Sequence, residues 1–216
     1  PPEAFVLKIN NRKLLNGLLA TAGVTSEGQK LAVLRAVDKL DRLGPDGVRL
    51  LLGEGRKDES GAFTKGAGLT AAAAESVLAF TAAGAPGRTE TLDRLANVIG
   101  GSEEGDAGLE ELSRIHQALT GMGVDPAQAA FDPSIVRGLE YYTGPVFEAE
   151  LLLKTTDEKG APVRFGSVGG GGRYDDLVAR FTGQPVPATG FSFGVSRLAA
   201  ALRAAGRDLA VATRGP

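Results

Sequence analysis

Val136-Arg137-Gly138-Leu139-Glu140-Tyr141-Tyr142-Thr143-Gly144-Pro145-Val146-Phe147-Glu148 sets a cation and two adjacent phenols between a turn and an apolar run. Residues 145–153 read as one long strand. Arg137 carries a permanent charge and a planar fork of donors suited to a phosphate or a carboxylate. On extended backbone Tyr141 and Tyr142 point to opposite faces, so that one packs while the other reaches into a pocket. An ordinary hairpin with a surface arginine and two half-buried tyrosines is the plainer reading of the same residues.

Two further clusters follow within sixty residues. Gly169-Gly170-Gly171-Gly172-Arg173-Tyr174-Asp175 comes after a short extended stretch, 163–168, and before a helical pattern carried by Leu177, Val178 and Phe181. Four glycines permit unusual backbone angles and let a ligand or another strand come close. The run is neither a Walker loop, for no Gly-Lys-Ser/Thr follows, nor a dinucleotide fingerprint, for no βαβ unit surrounds it. A flexible hairpin end accounts for it equally well. In Ala188-Thr-Gly190-Phe-Ser-Phe-Gly194-Val-Ser-Arg197-Leu198, Phe191 and Phe193 alternate with small residues as in a buried strand. Ser196 starts the next helix, which puts Arg197 in its first turn. Cations prefer the other end of a helix, so Arg197 is either simply solvated or held there by an anion shared with the helix terminus.

Together the three clusters resemble histidyl-tRNA synthetase, a class II aminoacyl-tRNA synthetase family. Residues 137–142 match its Arg-Gly-Leu-Asp-Tyr-Tyr motif at five of six places, with Glu140 for Asp. Gly171 to Asp175 match its Gly-Gly-Arg-Tyr-Asp motif, and Gly190 to Arg197 look like motif 3, a glycine-rich strand followed by an arginine-bearing helix. Residues 5–15 are similar to the strand and helix that follow motif 2. No counterpart of motif 1, of motif 2 or of the anticodon-binding domain is found. The resemblance and the opening Pro-Pro therefore imply an internal piece of a synthetase, inactive by itself.

The resemblance implies an α+β fold: a mainly antiparallel class II sheet flanked by helices, with an all-helical insertion. Its segments are residues 1–25 (core after motif 2), 26–126 (insertion) and 127–216 (core with the histidine motifs and motif 3). It also implies roles. Arg137 is the catalytic arginine, touching the α-phosphate of ATP and the histidine carboxylate. Tyr142 bonds the substrate imidazole, Tyr141 and Tyr174 complete that pocket, and Gly171 and Gly172 let the backbone close around it. Arg197, Gly190 and Gly194 join Arg137 in holding ATP, whose phosphates bring Mg²⁺. The implied partners are histidine, ATP and tRNA(His), with the insertion near the acceptor arm of the tRNA and the full-length protein a cytoplasmic homodimer. The rival within the same likeness is a non-charging regulatory subunit of ATP phosphoribosyltransferase.

Composition sets the outer bounds. The 216 residues, 43% of them apolar, are enough for a substantial core. The chain has no cysteine, which excludes disulfides and thiolate metal sites. No apolar run approaches membrane length. Residues 26–126 hold 11 Lys and Arg against 16 Asp and Glu, so nucleic-acid contact there is made by a local basic patch or is weak.

Periodicity places the elements. Phe5, Leu7 and Ile9 alternate as the buried side of a strand. Asn10 and Asn11 cap a helix with a Leu14, Leu15, Leu18, Leu19 face. Ser26 caps a helix through Val33, Val37 and Leu40, stopped by Gly44-Pro45; a short helix follows through Val48 and Leu51. Residues 53–68 read as a loop, 71–83 as an alanine-rich helix, and Leu92, Leu95 and Ile99, then Leu109, Leu112, Ile115 and Leu119, as further helical faces. The sole histidine, His116, has no evident partner and reads as structural or solvated. Strand pattern returns at 129–131, at 145–153 and at 163–168 across a charged turn, and again at 186–193; a helix spans 175–181.

Overall fold

A computed structural model describes residues 4–99, 101–136, 141–153, 155–156, 162–163, 165–184 and 186–206. The chain begins with β1 (Phe5–Asn11) and α1 (Arg12–Thr21). The turn between them is sealed by Asn11, whose side chain accepts the Lys13 N–H at 3.1 Å. Leu14, Leu15, Leu18 and Leu19 are all buried, as their spacing predicts. The stretch 26–126, expected to be the insertion, continues with α2 (Glu27–Val37), α3 (Leu40–Leu52), β2 (Gly55–Lys57), β3 (Phe63–Lys65), α4 (Ala71–Thr81), α5 (Arg88–Ile99) and α6 (Glu103–Gly121). Thr70 caps α4 and Ser102 caps α6 through their hydroxyls.

Three expectations for this region are corrected. The insertion is not all-helical, because β2 and β3 pair antiparallel inside the stretch read as a loop. Both strands are exposed or half-exposed, so neither shows the alternation that betrays a strand. The helix from Ser26 ends at Val37, short of Leu40, which starts α3; the expected stop at Gly44-Pro45 and the short helix beyond it hold, because Gly44 at φ 65° interrupts α3 and Pro45 starts its second helical piece. Finally, His116 has partners. Its Nδ1 accepts the Arg88 Nε–H at 3.4 Å, and Thr89 Oγ1 lies 3.5 Å from Nε2.

Arg88 is the polar hub of this body. It is only 3% exposed, and its guanidinium also donates to the Ala129 and Val124 carbonyls, both at 2.8 Å. Those bonds join α5 to the end of the insertion and to the strand that follows. Arg88→Met is therefore expected to destabilise the fold by about 2–4 kcal/mol, because one buried and one part-buried acceptor lose charged donors at once. Urea unfolding measures this, and an unchanged midpoint would remove Arg88 from the framework. Around the hub lie Leu34, Leu52, Phe80, Leu95, Ile99 and Leu112, all essentially inaccessible. Burying a side chain of this size stabilises by roughly 1.5–3 kcal/mol.

After the insertion come β4 (Ala129–Phe131), β5 (Pro145–Leu151), the short β6 (Thr155–Thr156) and β7 (Pro162–Val163), β8 (Gly166–Arg173), α7 (Asp175–Thr182), β9 (Thr189–Phe193) and α8 (Val195–Ala204). The main sheet runs β4-β1-β5-β8-β9; only the β1–β4 pair is parallel. The α+β reading with a mainly antiparallel sheet holds. The glycine run is not a hairpin end: Gly169 to Gly172 lie inside β8 and pair with strands on both sides. Helix α8 starts at Val195, behind an N-cap at Gly194, one residue earlier than Ser196.

Register assigns each face of the sheet, since directly paired residues share a side. Asn10, Val146, Gly172 and Gly190 form one row across four strands, and Lys8, Glu148, Gly170 and Ser192 form the next row on the same side. The opposite side carries Leu7, Ile9, Phe147, Phe191 and Phe193. Leu7, Ile9 and Phe147 belong to or pack on the core, whereas Phe193 at the β9 edge is 61% exposed. Phe5 was expected on the buried side, but at the mouth of β1 it is exposed.

Candidate functional site

The polar side of the sheet is split along its strands. One end is bare backbone, because β8 and β9 contribute only glycine there. A Cβ on Gly172 would sit 2.7 Å from the Tyr142 ring, and one on Gly190 would sit 2.4 Å from the Tyr174 hydroxyl. Any larger residue at either place would occupy the space of a tyrosine. The bare strands are thus the floor on which Tyr142 and Tyr174 lie.

Tyr141 and Tyr142 do not point to opposite faces. They lie ahead of β5, outside any strand, and their ring centroids are 4.4 Å apart with hydroxyls 3.3 Å apart. Tyr174 joins them at 6.4 Å from Tyr142. Burial first, then the Tyr141 hydroxyl and the neighbouring phenols, raise the pKa of Tyr142 well above the usual phenol range. Tyr142 is therefore neutral, able both to donate and to accept one hydrogen bond.

Short bonds hold this group. Thr143 N–H donates to the Arg173 carbonyl at 2.8 Å, and Arg173 Nε donates to Asp175 Oδ2 at 2.8 Å. Burial acts to raise the Asp175 carboxyl, but the Ala188 N–H and the Arg173 guanidinium outweigh it and hold the acid below its ordinary range. The two residues flanking Tyr174 are thus locked to each other, which fixes the backbone that carries its ring.

Tyr142 opens onto a cavity of about 370 Å³ lined also by Arg12, Asn16, Glu27 and Lys30. Burial pushes the pKa of the Arg12 guanidinium below its ordinary value, with Glu27 and Glu104 opposing that effect. The sequence reading missed Arg12, although the signal it used for Arg197 was there too: Arg12 is a cation at the first position of a helix.

A second cavity, of about 530 Å³, lies further along β8. Ser167, Gly169, Gly170, Ser192, Gly194 and Arg197 line it. Arg197 is in the first turn of α8 and donates to the Ser167 carbonyl. Of the expected site residues, Tyr141, Tyr142, Tyr174, Gly172 and Gly190 come together at the first place, and Gly194 and Arg197 at the second. Gly171 faces the other side of the sheet, against the β9 backbone. Arg137 lies outside the described residues. Among the described residues, no group of three or more histidine, aspartate or glutamate side chains could hold a metal ion, and no helix is long and apolar enough to cross a membrane.

Residues 3–198 match the family model described as Histidyl-tRNA synthetase. A Caulobacter vibrioides protein described as Histidine--tRNA ligase is 73% identical over 217 residues, which is 100% of this chain and 44% of the relative. A Brucella suis protein of the same description is 57% identical, over 98% of this chain and 43% of its own length. Among solved structures, the crystal structure of histidyl-tRNA synthetase from Nostoc sp. PCC 7120 superposes with a TM-score of 0.74 at 30% identity, over 95% of this chain and 43% of that one. The chain spans less than half the length of these relatives.

Proposed function

The chain belongs to the histidyl-tRNA synthetase family, and from that premise we propose that it is the part of a histidine–tRNA ligase that receives histidine and the tail of ATP. The observation that carries this reading is the trio of Tyr141, Tyr142 and Tyr174 packed over the bare strands at Gly172 and Gly190. A neutral phenol in a half-buried pocket suits an imidazole, which offers one donor and one acceptor. The names of the two curated relatives favour a ligase over a regulatory subunit of ATP phosphoribosyltransferase.

In this reading histidine and ATP combine to histidyl-adenylate and pyrophosphate, and the terminal ribose hydroxyl of tRNA(His) then takes the histidyl group. Neither step needs a covalent protein nucleophile; positioning and charge stabilisation carry both. Tyr142 bonds the imidazole, while Tyr141 and Tyr174 wall the pocket. Arg197 meets the ATP tail, where the α8 N-terminus adds partial positive charge. Arg137 bridges the α-phosphate and the histidine carboxylate. Mg²⁺ arrives on the ATP phosphates. The insertion lies near the acceptor arm, and the full-length protein works as a homodimer in the cytoplasm.

Histidine-dependent pyrophosphate exchange by the full-length protein tests the reading, and no exchange above that seen with other amino acids would refute it. Tyr142→Phe sharpens the test. It removes only the phenol tip, so histidine binding is expected to weaken by about 1–3 kcal/mol while ATP binding stays nearly constant. Separate titrations of the two ligands measure this; an equal loss for both would move suspicion to Tyr141 or Tyr174.

A further inference from the structure

Helix α6 carries Glu103, Glu104, Asp106, Glu110 and Glu111. Glu110 pairs with Arg114 of its own helix on the solvent side. Glu111 instead turns toward the sheet. Its Oε2 accepts the Asn11 Nδ2–H at 2.6 Å, and its Oε1 pairs with Lys13 Nζ at 2.5 Å. Gly108, one turn earlier, makes this reach possible. A Cβ there would be 2.9 Å from Leu14 Cδ2 and 3.1 Å from Leu14 N, so any larger residue would hold α6 away from α1.

The bonds continue past this contact into the tyrosine site. Asn11 is fully buried, and its Oδ1 caps α1. The next residue, Arg12, donates its backbone N–H to the Gly144 carbonyl at 2.9 Å, two residues from Tyr142. A Cβ on Gly144 would lie 3.4 Å from Glu111 Oε2 and 3.3 Å from Arg173 Cδ, so the insertion and the Tyr174 segment both close on this one glycine. Thr143, between Tyr142 and Gly144, receives the Asp175 N–H on its hydroxyl at 3.3 Å. Lys13 also contributes to holding the Asp175 carboxyl ionised. One carboxylate of the insertion therefore meets both the start of α1 and the backbone supporting two of the three tyrosines.

We propose that Glu111 is a positioning residue for histidine binding, tying the insertion's last helix to the backbone that sets Tyr142 and Tyr174. The role rests on the reading of the tyrosine cluster as the histidine pocket. Its charge matters as well as its reach, because Lys13 is the partner on one oxygen and a neutral amide on the other. Any displacement of α6 pulls first on Asn11 and Lys13, and through them on Gly144.

The test uses the full-length protein and histidine-dependent pyrophosphate exchange. Glu111→Gln keeps the size and loses the charge. The KM for histidine is expected to rise roughly fivefold, at the low end of coupling between sites because the pair is part-exposed, with the KM for ATP within about twofold and an unchanged melting temperature. Lys13→Met should give the same split. The double variant should be no worse than the weaker single one, since both substitutions break one interaction. Additive losses, equal changes in both KM values, or an unchanged histidine KM would overturn the role. A wild-type protein without histidine-dependent exchange would remove the histidine-pocket reading and this role together. Wild-type exchange with an indifferent Glu111→Gln would remove this role alone.

Discussion

Gly171→Ala is expected to destabilise the protein by about 3 kcal/mol and to loosen β9, whereas Gly170→Ala, one residue away, should cost less than about 1.5 kcal/mol. A Cβ on Gly171 would stand 2.0 Å from the Gly190 carbonyl oxygen and 2.8 Å from Phe191 Cα, both parts of the neighbouring backbone. No rotamer relieves that collision, so the β8–β9 pair must separate. A Cβ on Gly170 meets only the Phe147 carbonyl, at 3.3 Å, and a shift of a few tenths of an ångström suffices. Alanine also stiffens the unfolded chain, which offsets part of the loss at both positions. Because β9 leads directly into α8, the Gly171 variant should also weaken the ATP binding proposed for Arg197. Urea unfolding with amide exchange over residues 189–193 distinguishes the two variants, and equal losses would show that β8 needs glycine for some other reason.

Arg137→Lys in the full-length protein is expected to slow histidine-dependent pyrophosphate exchange by roughly 10²–10³, the usual loss of one transition-state donor, while leaving the melting temperature in place. Lysine preserves the charge but not the two-pronged geometry that spans a phosphate and a carboxylate together. The residue before it, Val136, is buried in the core. The stretch 141–144 after it is held by Arg173 and Arg12 backbone bonds. An exchange rate within twofold of wild type would reduce Arg137 to a surface cation.

Much of the fold was legible where side chains report their surroundings. The Leu14-Leu15-Leu18-Leu19 face and the Val33-Val37 face of the next helix follow from periodic apolar residues that are buried. Legibility failed where side chains are missing or indifferent. Strand β8 carries four glycines in a row and so cannot alternate; its identity shows only in its pairing. The β2–β3 hairpin buries neither face and leaves no pattern. At the candidate site, motif order named tyrosines that the fold brings together, but not their arrangement, because Tyr141 and Tyr142 lie off the strand on which opposite faces would apply. Glu111 was out of reach for a different reason: nothing along an acidic helix says which carboxylate turns inward until Gly108 brings α1 against it.

The parallel pairing of β1 with β4 has a consequence for how far this architecture can be trimmed. Leu7 faces Ala129 and Ile9 faces Phe131, running in the same direction, with α1 and the whole insertion between them in sequence. Antiparallel neighbours can be joined by a two-residue turn, but parallel neighbours need a crossover of about a dozen residues to carry the chain back to the starting end. The helical body is therefore also that return path. Evolution or an engineer can shorten it, lengthen it or exchange it for another body, but cannot delete it while keeping β1 and β4 side by side in one chain.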